Sequence, residues 1–134
     1  MSDQAFLQQF EAAAIPAARW MHRDHVRIAY LYLRDRSFDD ALARLRTGIQ
    51  ALNVANGGVN SDTAGYHETI TVAWARLVAA ALARVGRCED FESFVAENVE
   101  LLDKERLRSH YTKDLLTGSA ARGAFVDPDL APLP

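Results

Sequence analysis

Apolar side chains recur every three or four residues through nearly the whole chain, and no stretch alternates apolar and polar with period two. That periodicity selects amphipathic helix over strand. It is clearest from about Tyr66 to Val85, where Ile70, Trp74, Leu77, Val78 and Ala81 form one stripe. The alanines of this segment permit neighbours to approach closely, and Gly86 stops it. Its longest purely apolar run, Leu77 to Ala83, is bracketed by Arg76 and Arg84. Seven residues cover about a third of what a membrane-spanning helix needs. The spacing therefore predicts a buried central helix and no membrane segment.

The remaining segments read the same way. Ser2 is placed to cap a first helix through about Ala14, with Phe6, Leu7 and Phe10 inward, before Pro16 restarts the chain. A second helix runs from about Trp20 to Asp35 and carries His22, His25, Val26, Ala29, Tyr32 and Leu33 at helical spacing. Arg23, Arg27 and Arg34 fall on another side, which reads as a solvated face. Ser37-Phe38-Asp39-Asp40 resembles a capping box and opens a third helix, with Ala41, Leu42, Leu45, Ile49 and Leu52 inward and Gly57-Gly58 at its end. Residues 59–64 are polar and turn-like. Beyond Gly86, Asp90 caps a short helix with Phe91, Phe94 and Val95 inward, and Asp103 another through about His110. Thr112 or Ser119 starts further short segments leading to Phe125-Val126. The tail, Asp127 to Pro134, cannot continue a helix, because its prolines lack donors and restrict the residues before them. It is expected as an extended strap with Leu130 and Leu133 on the bundle. The predicted fold is all-α: an irregular single-domain bundle of five to seven helices over residues 1–134.

Composition limits the function. A chain of 134 residues can bury one substantial core. Its 49% hydrophobic and 25% charged residues match an ordinary globular protein. Eighteen acidic residues against fifteen basic ones, for a net charge of −3, argue against general attraction to nucleic acid. One cysteine, Cys88, allows no internal disulfide, which suits a reducing cytoplasm. Met1-Ser2-Asp3-Gln4 begins no basic-then-apolar leader, so no signal peptide is expected. An oligomer is compatible with all of this.

The chemistry-bearing residues are three histidines in two short segments, Met21-His22-Arg23-Asp24-His25 and Tyr66-His67-Glu68-Thr69-Ile70-Thr71. Residues three apart share a helix face, so His22 and His25 can aim at one point. His67 is in register with Thr71 and Trp74. Facing helices could thus assemble a mononuclear or dinuclear site for a divalent transition metal from His22, His25, His67 and Glu68, with Asp24 or His110 in reserve. Imidazole and carboxylate suit zinc, iron, nickel or copper. The known motifs are incomplete: Thr71 stands where H-E-x-x-H needs its second histidine and where Glu-x-x-His needs its only one. Glu68 also lies about 100° around the helix from His67. The same residues have a purely structural reading. Histidines on apolar faces are often core residues with both ring nitrogens bonded, Glu68 suits a helix N-terminus, and Thr69 and Thr71 can bond backbone carbonyls. A metal-free ligand or acid–base site is a third reading.

Trp20, Tyr30, Tyr32 and Trp74 read as core and rim aromatics, Cys88 as incidental, and His110 as a helix-end residue. No phosphate loop, serine elbow or Cys-x-x-Cys pair is present.

The stretches H-x-x-H-V-R-I-A-Y-L-Y-L (His22 to Leu33), Y-H-E-T-I-T-x-x-W (Tyr66 to Trp74) and F-V-x-P-D-L-x-P-L-P (Phe125 to Pro134) together resemble a family of small uncharacterised bacterial helical proteins. The resemblance spans nearly the whole chain. It implies a bacterial origin and brings no activity, cofactor or catalytic residue. Two function classes follow from the residues: a protein binding a metal or small ligand through the histidine cluster, or a non-catalytic helical interaction or regulatory protein whose histidines are structural.

Overall fold

The computed structural model describes residues Met1–Pro134; its regular elements are all helices, with no strand. Seven α-helices are present: α1 (Asp3–Glu11), α2 (His22–Leu33), α3 (Phe38–Ala55), α4 (Glu68–Val85), α5 (Phe91–Ala96), α6 (Lys113–Thr117) and α7 (Ser119–Gly123). Three 3-10 segments, Ala17–Arg19, Val99–Leu102 and Lys104–Ser109, lie between them. No helix is long and apolar enough to cross a membrane.

The helices begin where short polar side chains accept the first free amides. Ser2 accepts from Ala5, Ser37 from Asp40, Asp90 from Ser93 and Thr112 from Leu115. Two starts and one end differ from the periodicity. The first helix stops at Glu11 and not Ala14, because Ala13 takes a left-handed φ of 52°. Pro16 disfavours a helical Ile15, so the chain turns early and Ile15 enters the core. The second helix starts at His22 and not Trp20, since Trp20 is extended after the 3-10 turn and the Asp24 carboxylate accepts the Met21 amide at 2.9 Å. The fourth starts at Glu68, with His67 as its cap.

One hydrophobic cluster of 26 buried residues joins these elements. Helix α4 packs against α2, α3 and α7 and supplies Val72, Ala73, Trp74, Ala75, Leu77, Val78 and Ala81. Tyr30 stacks on Phe94 with 4.4 Å between ring centroids, fastening α2 to α5. Two buried polar residues make specific ties. Thr69 donates to the Ala124 carbonyl and accepts from the Val126 amide, and Asn98 donates to Phe94 while accepting from Arg84. Every fully buried side-chain nitrogen or oxygen is partnered.

The expected solvated arginine face is partly a junction. The Arg27 side chain is only 15% exposed, pairs with Asp3 at 2.9 Å, and lies 4.5 Å above the Phe6 ring. Asp3 also accepts the Phe91 amide, so one ion pair links α1, α2 and α5. Periodicity alone misassigns it because an arginine stem covers apolar surface while its head finds a carboxylate.

At the C-terminus, Thr112 donates to Asp129 through both its amide and its hydroxyl, at 2.8 and 2.6 Å. The Leu130 amide bonds to the His110 carbonyl, and His110 Nδ1 donates to the Ala131 carbonyl. Leu133 packs partly buried against the core, whereas Leu130 is 56% exposed. Of the expected pair of leucines only Leu133 lies on the core, and polar contacts supply the rest of the attachment.

Candidate functional site

A cavity of about 610 Å³ opens between α2, α3, α4, α6 and the 3-10 segment Lys104–Ser109. The three histidines all line it: His22 and His25 from the first turn of α2, and His67 from the cap of α4. Both tryptophans of the chain line it as well. The His22 ring lies 4.4 Å from the Trp74 ring, and the His25 ring 4.5 Å from that of Trp20. Leu45, Ile49 and Leu52 of α3 provide an aliphatic wall.

The histidines have different bonding states. His67 is fully engaged: Nδ1 accepts the Ile70 amide at 3.1 Å, so Nε2 carries the proton and donates to the Leu116 carbonyl at 2.7 Å. It caps α4 on one side and ties α6 on the other. His22 donates from Nε2 to the Leu101 carbonyl at 2.8 Å, which leaves Nδ1 as a bare acceptor in the neutral ring. His25 has no protein hydrogen-bond partner. Because no sealed polar atom is unpartnered, its nitrogens reach open space, which here is the cavity it lines. The Trp74 indole N–H is in the same situation on a residue only 6% exposed.

Burial dominates the proton affinities. It pulls His25 down to about 4, with the neighbouring His22 ring adding to the effect. Burial also lowers His22 against the opposing bond to Leu101, and His67 against the bond to Leu116. All three rings are therefore neutral at pH 7. The cavity offers unspent imidazole and indole groups in an aromatic and aliphatic enclosure, without a buried charge.

Glu68 is not in this lining. Burial works against its charged form, but the two-pronged bond from Arg46 and the Tyr66 hydroxyl at 2.6 Å outweigh burial and hold the carboxyl below its ordinary value. Burial and the same carboxylate push the Tyr66 phenol upward. Asp24 is occupied at the start of α2, and His110 holds the C-terminal stretch.

No group of three or more His, Cys, Asp or Glu side chains is arranged to hold a metal ion. Metal–nitrogen bonds need an approach of about 2.0–2.2 Å. Direct ligation by the predicted set would require His67 to release two partners and Glu68 to leave Arg46 and Tyr66. The structure thus brings His22, His25 and His67 to one cavity and leaves Glu68 outside its lining, bonded to Arg46 and Tyr66.

Several lining residues were not among the sequence candidates: Asn53 of α3 and Asn56 at its C-terminal cap, Tyr66, and the basic group Lys104, Arg108 and Lys113. Asn56 bonds the Ile15 carbonyl and the Ala17 amide, and Asn53 bonds Asn60, so both shape the wall through loops. The asparagines carried one readable signal, as polar residues interrupting the apolar stripe of the third helix. No protein-family model, curated protein or solved structure matches the chain.

Proposed function

We propose that this protein binds a small, largely apolar organic molecule in the cavity lined by His22, His25 and His67, with the ligand's polar atom bonded to His25. The single observation that carries the reading is the His25 imidazole, half-buried, neutral and without a protein partner, lining a cavity of about 610 Å³. Ligand sites are commonly apolar concavities of about 300–1,000 Å³ with a few convergent polar groups. A buried polar group gains most from a ligand that satisfies it, since leaving it unpaired costs about 1–3 kcal/mol. His22 Nδ1 and the Trp74 N–H supply a second acceptor and a donor nearby. In this reading the chain is one helical domain. Its C-terminal stretch is a strap that steadies the Thr112 end of the site.

The experiment is a titration with N-phenyl-1-naphthylamine, a neutral probe that fluoresces in apolar surroundings. Saturable binding by the wild type, lost in the cavity-filling variant Ile49→Trp at unchanged helicity, supports the reading. Equal binding by both, or none by either, overturns it. A divalent transition metal held by His22, His25, His67 and Glu68 is the competing occupant. Near-stoichiometric zinc, iron, nickel or copper in untagged purified protein, removed by His67→Gln, would replace the organic ligand with a metal. Metal-free protein that binds no probe would leave a helical interaction protein with structural histidines.

A further inference from the structure

Of the chain's fifteen basic residues, only Lys104 and Lys113 are lysines, and both line the mouth of the histidine cavity. They come from different elements, the 3-10 segment Lys104–Ser109 and the first turn of α6, so their convergence is a product of the fold. Both are solvent-exposed. Neither has an ion-pair partner, whereas most of the arginines are paired with carboxylates. Arg108 joins them at the mouth, and its Glu105 partner is the only carboxylate in the lining. Three cations against one carboxylate surround this opening on a chain whose net charge is −3. With Arg108 paired to Glu105, the two lysines are the uncompensated charges of this lining. Behind the mouth, the walls are Trp20, Trp74, Ile49 and Leu52.

We infer that the ligand is an organic carboxylate: an apolar body lodged among the tryptophans and α3, with the polar atom that meets His25 set within it, and a carboxylate head at the mouth between Lys104 and Lys113. The inference rests on the proposed cavity and adds the ligand's charge and orientation. An ammonium is a compact point charge on a flexible stem, suited to meet an anion without the fixed fork geometry an arginine imposes. A cationic ligand would face two unpaired like charges at the entrance, and a neutral one would leave the lysines without a role. The apolar body also explains why no charge lies deeper: burying one would require a partner, and the histidines inside are neutral.

The test displaces N-phenyl-1-naphthylamine from the wild type and from the double variant Lys104→Gln/Lys113→Gln, using decanoate, decan-1-ol and decyltrimethylammonium at pH 7.5. Both lysines are exposed, so the variant should retain the wild-type helicity and probe affinity. Decanoate is expected to displace the probe about tenfold more effectively than decan-1-ol in the wild type, and the cation least effectively. In the variant that preference should vanish, with the alcohol unchanged. Salt should weaken decanoate selectively, as expected for exposed charges. Equal displacement by acid and alcohol, or a preference that survives in the variant, overturns the carboxylate assignment while leaving the cavity reading standing. Failure of the neutral probe to bind the wild type defeats the cavity reading, and this inference with it.

Discussion

Acid should unfold this protein in part through His25. Its ring is neutral in the folded state, with a proton affinity held down to about 4 by burial, against about 6.5 when solvated. Between those values the unfolded chain binds a proton that the folded chain refuses, so stability falls as pH falls. The contribution is fully present above pH 6.5, is lost progressively as pH falls through about 4, and levels off below that. Each tenfold difference in proton affinity corresponds to about 1.4 kcal/mol, which gives a loss of about 3 kcal/mol by pH 4. The cavity admits solvent, so about 3 kcal/mol is an upper bound, and about 1 kcal/mol a reasonable floor. Acid-sensitive carboxylates act in the same direction, and a control variant removes them. The variant His25→Leu keeps a comparable apolar contact with Trp20 and cannot titrate. Urea unfolding of both proteins at pH 7, 5.5 and 4 gives the difference in stability between them at each pH. Relative to His25→Leu, the wild type should lose between about 1 and 3 kcal/mol from pH 7 to pH 4. Parallel pH dependences in the two proteins would refute the burial of a neutral His25.

His67 should behave as a cap and a tie: His67→Ala should cost about 1–3 kcal/mol in urea unfolding, and His67→Asn less, because asparagine can still accept the Ile70 amide. Gly48 lets the Phe10 ring lie directly on α3, since an added Cβ would collide with that ring. Gly48→Ala should therefore lower the thermal midpoint, by an overpacking cost of about 1–3 kcal/mol, and Phe10→Leu in the same chain should recover part of it. At the C-terminus, Leu130→Ala should change stability by less than about 0.5 kcal/mol because that side chain is exposed. Deletion of residues 127–134 should lower the melting temperature clearly, since it removes both Thr112–Asp129 bonds and the packed Leu133. An unchanged melting temperature on deletion would show that these contacts do not hold the segment in solution.

Helical character was legible in the sequence because three- and four-residue spacing follows directly from α geometry. The inward stripes of α3, α4 and α5 match the buried residues closely: Leu42 and Leu45, Leu77 and Val78, Phe91 and Phe94. Helix ends were less legible. The turn at Ala13 depends on a left-handed residue that no glycine announces, and the start of α2 depends on Asp24 reaching back to Met21. The site was half legible. Local spacing placed His22 beside His25, and the facing of α2 and α4 brought His67 to the same cavity. What spacing cannot show is what each ring bonds. His67 spends both nitrogens on Ile70 and Leu116, and Leu116 lies 49 residues away in sequence. Glu68 meets Arg46 across α3 for the same kind of reason. The lysines at the mouth escaped notice because Lys104 and Lys113 converge only through the tertiary fold.

The most direct test of the cavity's role uses the two indoles. Trp20 and Trp74 are the only tryptophans in the chain, and both line the cavity, so a ¹H–¹⁵N correlation spectrum carries just two indole signals, each reporting on it. Titrated with decanoate, both signals should shift together and saturate at one equivalent, and Ile49→Trp should abolish the shifts of these two signals. Binding detected by displacement while both indole signals stay fixed would place the ligand elsewhere and contradict the account.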